Sequence, residues 1–401
     1  MATSLQHREV FATKLGKLVA DMSSWEGKAR VGADEADRIR SGIRGFPHTT
    51  TVTEPYMVGG VDGSGDYPCL AYSDSFVSIA NASGTVYRTD SFHGLSEVAS
   101  VADPNLELVW LPDDREAARP LWLEALGNLA GAPVRTVISE SDYRSLKDAA
   151  AHYLHGSIEL EDNLILPAAS DTSNVAIQLR SCAELGAAYR LVRHSAKCRY
   201  VLMDTTLSLP MVTRRQLSLF YEHLKRLCCV EARSNGIVFI TISKSHGLPS
   251  IDLVEQLAAQ ACGTGERAAE HWFLRLPTPG HDDWQLSLLE SRSIPPMGAV
   301  TYLARFHRNT PVLRLDLDRV YWEKHLRDDP MEETRMFAEL DYASHDQRSF
   351  GYPYPIKACH DRVRLSMNER AALKKQIIEA AVAQGMKRSL FRDASKATGH
   401  V

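Results

Sequence analysis

The chain has 401 residues, 44% hydrophobic and 24% charged, with 46 Lys and Arg against 50 Asp and Glu and a formal net charge of −4. These are the proportions of a soluble globular protein with one large core or two modest ones. They argue against a protein that coats nucleic acid through its overall charge, so any basic surface is local and balanced by acid elsewhere.

Seven cysteines, an odd number without Cys-x-x-Cys spacing, read as reduced thiols and argue against a disulfide framework or a structural zinc site. The N-terminus lacks a signal-peptide pattern and no apolar run reaches membrane-spanning length, so a cytoplasmic protein is expected.

Residues 4–44 place Val10, Phe11, Leu15, Leu18, Val19 and Met22 at helical spacing and predict two helices divided near Ser23 and Ser24. Met57-Val-Gly-Gly-Val-Asp-Gly-Ser-Gly65 then reads as a strand that delivers Asp62 to a turn. The alternating segment Cys69–Ile79 predicts a strand, Asn81-Ala-Ser-Gly84 a turn, and Thr85–Thr89 a return strand. Leu106–Leu111 predicts a further strand, Pro120–Leu129 and Ser139–Leu154 helices, and Asp162–Ser173 a loop.

A helix is expected over Asn174–Lys197, with Glu184 on it. The apolar run from Tyr200 leads to Asp204, Arg214–Asn235 is amphipathic, and Gly236–Ser245 is a second apolar run carrying Lys244. Strand, helix, strand at this spacing predicts a right-handed crossover with Asp204 and Lys244 at strand carboxyl ends, where open α/β sheets build their sites. The last third contains the apolar segments Ala299–His307 and Pro311–Asp318, expected helices at Pro330–Glu339 and Asn368–Gln384, and a loose tail after Lys387.

Two-metal phosphodiester hydrolysis needs carboxylates that converge from neighbouring elements, and Asp62, Glu184 and Asp204 are the candidates. All-oxygen ligation of this kind favours Mg²⁺ or Mn²⁺ over zinc. Lys244 suits a phosphate contact, and His360 a further ligand or a proton carrier. Taken singly, each residue also fits a structural role. Asp62 and Asp204 fit turn caps, Glu184 a solvated helix position, Lys244 a helix-start loop, and His360 a surface pair with Asp361.

In chain order, Val-Asp-Gly-Ser (61–64), the helix with Glu184, Leu-Met-Asp-Thr-Thr-Leu (202–207), Ile-Ser-Lys-Ser (242–245) and Tyr-Pro-Tyr-Pro-Ile-Lys-Ala-Cys-His (352–360) resemble the NurA nuclease family. The resemblance runs from about residue 56 to 366. It implies a ribonuclease H-like α/β fold, a mixed sheet flanked by helices with N- and C-terminal helical extensions. The corresponding division is an N-terminal arm (1–45), a nuclease domain (46–366, with a helical insertion at about 112–173) and a C-terminal helix and tail (367–401).

It also implies metal roles for Asp62, Glu184, Asp204 and His360, with Lys244 completing the site. Further implications are dependence on Mn²⁺ (or Mg²⁺), action on DNA ends in repair or defence, a homodimer, and a HerA-type hexameric ATPase as partner. Two motifs depart from the family pattern, at Asp204-Thr-Thr-Leu207 and at Cys359 before His360, and neither removes a metal-binding atom. Glu184 is the assignment most open to a rival, with Glu159 and Glu161 as the other carboxylates. The alternatives to a nuclease are a non-catalytic DNA-end adaptor and a metal-dependent phosphatase with the same ligands.

Overall fold

The computed structural model describes residues 5–25, 32–65, 68–72, 75–91, 94–143, 145, 172–194, 197–207, 219–244, 251–262, 271–278, 281–283 and 298–391. In chain order the first half comprises α1 (Leu5–Trp25), α2 (Ala33–Gly42), β1 (Ile43–Gly45), β2 (Met57–Ser64), β3 (Pro68–Tyr72), β4 (Ser75–Thr89), β5 (Leu95–Pro112), α3 (Arg115–Ala130), α4 (Val134–Glu140) and α5 (Thr172–His194). Then come β6 (Cys198–Met203), α6 (Leu219–Ser234), β7 (Val238–Ser243), α7 (Ile251–Ala261), β8 (Trp272–Arg275), β9 (Ala299–Arg305) and β10 (Leu313–Asp318). The chain continues through α8 (Arg319–His325), α9 (Pro330–Ala343), the short β11 (His345–Asp346) and β12 (Ser349–Phe350), α10 (Tyr354–Val363) and α11 (Met367–Ala383).

One mixed sheet organises these elements in the order β1-β8-β9-β10-β7-β6-β2-β4-β3, with β5 paired along β4. The pairs β2/β6 and β6/β7 are parallel and the other pairs are antiparallel. Helix α6 connects the parallel strands β6 and β7, the strand–helix–strand unit expected from the sequence.

Both faces of the sheet centre are covered, which is why β6 and β7 are nearly all apolar rather than alternating. Val201 and Met203 of β6 enter one core with Leu179, Leu185 and Leu191 of α5 and Leu224 of α6. Tyr200 and Leu202 enter the other with Phe337 and Leu340 of α9 and Ile356 of α10. The period of two along a strand therefore sends successive side chains to opposite helical layers. A third cluster joins α2, α7 and β8 through Ile39, Leu257 and Trp272.

Three sequence expectations change. Asn81-Ala-Ser-Gly84 is not a turn, because β4 runs unbroken through it and is paired with β2 on one side and β5 on the other. The two ladders satisfy backbone groups that a turn would leave free, and the turn-forming residues instead host a register shift at Ala82/Gly84. The Leu106–Leu111 strand is the end of the 18-residue β5. Helix α3 starts ahead of Pro120, because the Asp114 side chain accepts a hydrogen bond from Ala117 N and caps it at Arg115.

Most of the expected Ser139–Leu154 helix and Asp162–Ser173 loop lies outside the described residues, as does the end of the tail. Helix α1 exposes Val10, Phe11, Leu15, Leu18, Val19 and Met22. Among the described residues, no helix is long and apolar enough to cross a membrane.

Candidate active site

Strand β2 brings two helices together from opposite faces, and its alternating side chains decide which helix meets which residue. Gly59 faces Leu191 of α5, whereas Gly60 faces the backbone of Pro355 at the start of α10. Further along, the same parity puts Asp62 beside His360 of α10 and Gly63 against Glu184 of α5. Small residues are required there: a Cβ on Gly60 would lie 2.2 Å from the Pro355 carbonyl carbon, and one on Gly63 would lie 2.5 Å from Glu184 Cγ. Cys359 fastens the α10 side, its thiol lying 3.0 Å from the Gly60 carbonyl oxygen and 3.1 Å from Thr85 Oγ1.

The parallel register adds the next groups. Val61 pairs with Met203, so Asp62 and Asp204 follow side by side at the carboxyl ends of β2 and β6. Met203 pairs in turn with Thr241, and Lys244 follows the end of β7 on the same edge. Lys244 Nζ lies 3.7 Å from Asp204 Oδ2 and 3.8 Å from the centre of the Tyr352 ring. The Tyr352 hydroxyl donates to Asp204 Oδ2 at 3.2 Å.

On the α10 side, His360 Nδ1 lies 2.9 Å from Asp62 Oδ2, while Asp62 Oδ1 accepts from Gly63 N at 2.7 Å. On the α5 side, Arg180 Nε lies 3.2 Å from Glu184 Oε1. All five residues expected from the sequence thus meet at one sheet edge.

Their electrostatics are those of negative charge gathered out of water. Burial raises the Asp62 carboxyl above its usual range and Asp204 raises it further, opposed by the Gly63 N–H and His360. Burial pushes Glu184 up to about 8, against Arg180 and with help from Asp62 and Asp204. Burial, with Asp204 and Asp62 nearby, also keeps the Tyr352 phenol protonated and able to donate.

Two of the carboxylates lie deep, with the Glu184 side chain 7% and the Asp62 side chain 12% exposed, while Asp204 is 33% exposed. Lys244 and His360 stand at the mouth, 50% and 53% exposed. Two buried carboxyls that resist ionisation, Asp62 and Glu184, with Asp204 beside them, fit a hard divalent cation, whose charge would relieve their repulsion. Asp62, Asp204 and Glu184 would hold it.

Two of the structural alternatives do not match the structure. Glu184 is buried rather than solvated, and Asp361 pairs with Lys357 Nζ rather than with His360. Sequence reasoning missed Tyr352 and Arg180 as members of the site. Tyr352 stands inside the segment that supplied His360, and Arg180 precedes Glu184 by four residues, the spacing of an ion pair on one helix face. The rival carboxylates Glu159 and Glu161 lie outside the described residues.

No protein-family model matches the chain. No curated protein sequence matches it either. Among solved structures it is similar to the NurA nuclease from Sulfolobus solfataricus, at 13% identity over 96% of this chain and 99% of that one, with a TM-score of 0.46. It is also similar to NurA with manganese (10% identity, 95% and 99% covered, TM-score 0.40) and to NurA bound to dAMP and manganese (12%, 97% and 99%, 0.38). Each superposition is loose.

Proposed function

We propose that the protein is a metal-dependent nuclease that hydrolyses phosphodiester bonds of DNA. The observation that carries this reading is the layering of the site: Glu184 and Asp62 buried beneath, Asp204 half-buried beside them, and an ammonium and an imidazole at the mouth. Phosphodiester hydrolysis needs both, since the attacking water and the phosphate must meet between metal-binding oxygens and groups that contact the phosphate or carry a proton.

A divalent cation, Mn²⁺ or Mg²⁺, would supply water activation and charge neutralisation on the phosphate. Asp62 and Asp204 are the central ligands, aligned by the register of β2 and β6. Glu184 completes the carboxylate set from α5, and Arg180 steadies it. Lys244 reaches the phosphate from the mouth, and its cation lies on the Tyr352 ring, which limits where the flexible chain can go. His360 Nδ1 pairs with Asp62, which leaves Nε2 to exchange a proton or to ligate.

The strand order β5-β4-β2-β6-β7, three antiparallel strands followed by two parallel steps, supports the ribonuclease H-like reading of the fold. The motif resemblance carries four more proposals: action at DNA ends, a HerA-type ATPase partner, self-association as a homodimer, and a setting in repair or defence. The N-terminal helices are the proposed ATPase-docking element, on the apolar face that α1 exposes.

The reaction class is tested by offering the purified protein end-labelled linear DNA and a small phosphomonoester, each with Mn²⁺, with Mg²⁺ and with EDTA. Metal-dependent DNA hydrolysis without monoester turnover is expected. Turnover of the monoester alone would replace the nuclease with a phosphatase.

A further inference from the structure

A second group of metal-ligating side chains lies apart from the carboxylate site and takes no role in the proposed reaction. His48 follows β1, His271 immediately precedes β8, Asp341 is in the last turn of α9, and His345 opens β11. One donor atom from each of the four lies within 4.8 Å of all the others.

Asp341 is fully buried and is the hub. Its Oδ2 lies 2.9 Å from His48 Nδ1, and its Oδ1 lies 3.2 Å from His271 Nδ1 and 3.1 Å from His345 Nδ1. Thr49 N donates to the same carboxylate at 2.8 Å and fixes its orientation. The three rings close around it, with centroids 4.9, 4.4 and 5.5 Å apart for His48–His271, His48–His345 and His271–His345.

We infer that these four residues form a structural metal site of three imidazoles and one carboxylate, for a divalent transition metal of the zinc type. A tetrahedral shell with bonds of about 2.0–2.1 Å has ligand–ligand edges of roughly 3.3 Å, close to the nitrogen–oxygen separations already present. Three imidazole nitrogens select Zn²⁺ and its neighbours in the first transition row over the oxygen-seeking Mg²⁺ and Mn²⁺. Four protein donors leave no open position, the arrangement of a structural rather than a catalytic centre.

Without the ion, the fully buried Asp341 carboxylate is paired with three imidazole nitrogens and the Thr49 N–H, and His345 Nδ1 also lies 2.8 Å from the Asp341 carbonyl oxygen. The bound ion would displace protons from the nitrogens that now donate to Asp341. The spacing of the cysteines argued against a structural zinc site, and ligands drawn from four separate stretches of chain leave no such spacing to read.

The site would also brace the active-site edge. His345 pairs with Phe350 in the β11/β12 ladder, Gly351 N donates to the Ser344 carbonyl at 2.7 Å, and Tyr352 next reaches Asp204.

The test uses the full chain, stripped with chelator and titrated with Co²⁺, whose four-coordinate complexes absorb strongly in the visible. The same titration is run on Asp62→Asn/Asp204→Asn and on His48→Gln, a partly exposed position. One tight four-coordinate equivalent is expected in wild type and in the carboxylate variant, weakened about 10- to 100-fold or more in His48→Gln. A spectrum lost in the carboxylate variant, or unchanged in His48→Gln, would overturn the assignment. Zn²⁺ should also raise the melting temperature of the stripped wild type. No rise would count against the site whether or not the histidine variant folds.

Discussion

Gly60 of β2 and Pro355 of α10 approach so closely that a Cβ on the glycine would lie 2.2 Å from the Pro355 carbonyl carbon and 2.4 Å from its oxygen. Backbone meets backbone here, and neither side can swing away. That contact sets the height of α10 over the sheet and thereby brings His360 to Asp62. Gly60→Ala should therefore cost about 1–3 kcal/mol of stability or more, and should loosen α10. Gly63→Ala instead meets the Glu184 side chain, so it should lower metal affinity and activity with a smaller loss of stability. Denaturant melts and Mn²⁺ titrations of the two variants separate these effects. Equal stability losses with unchanged metal binding would contradict the division of labour.

The buried Glu184 makes stability depend on pH. Its carboxyl titrates at about 8 in the folded protein against an ordinary 4.5. The folded state thus holds a proton that the unfolded state has lost, and its stabilising effect disappears as pH rises through 8. Metal-free protein should lose stability from pH 5 to pH 8, by at most about 4 kcal/mol for one proton. Glu184→Gln should flatten this profile, and Mn²⁺ should offset it by favouring the ionised carboxylate. Parallel profiles for wild type and Glu184→Gln would refute the assignment.

Tyr352→Phe removes the hydroxyl that donates to Asp204 but keeps the ring beneath Lys244. A hydrogen bond to a charged group contributes roughly 1.5–3 kcal/mol. If that orientation matters in the transition state, kcat should fall about ten- to a hundredfold with KM little changed. Tyr352→Ala, which also frees Lys244, should raise KM as well. Wild-type kinetics in Tyr352→Phe would remove Tyr352 from the site.

The parts of the site that lie on strands were legible from the sequence. Apolar runs ending in Asp62, Asp204 and Lys244 carry their own signal, because a buried parallel strand is read by its composition and its end by the first polar residue. Glu184 was legible only as a helix position. Its depth depends on Gly63 on another element, a close approach that leaves no mark on the helix itself. The turn expected at Asn81–Gly84 shows the reverse: local turn chemistry was overridden by ladders on both sides of β4. Helix α7 and strand β8 escaped because they are short and are held by a cluster drawn from distant segments. The histidine group was invisible for the same reason, its members being spread from residue 48 to residue 345.

The central claim is that Asp62 and Asp204 together hold the catalytic cation. The most direct test is Mn²⁺-dependent digestion of end-labelled linear DNA by wild type, Asp62→Asn and Asp204→Asn, each checked for an unchanged fold. The structure places both carboxylates at the same sheet edge, so each variant should lose at least about a hundredfold in rate while still melting cooperatively. Degradation by either variant at the wild-type rate would contradict the claim and move the chemistry away from the ends of β2 and β6.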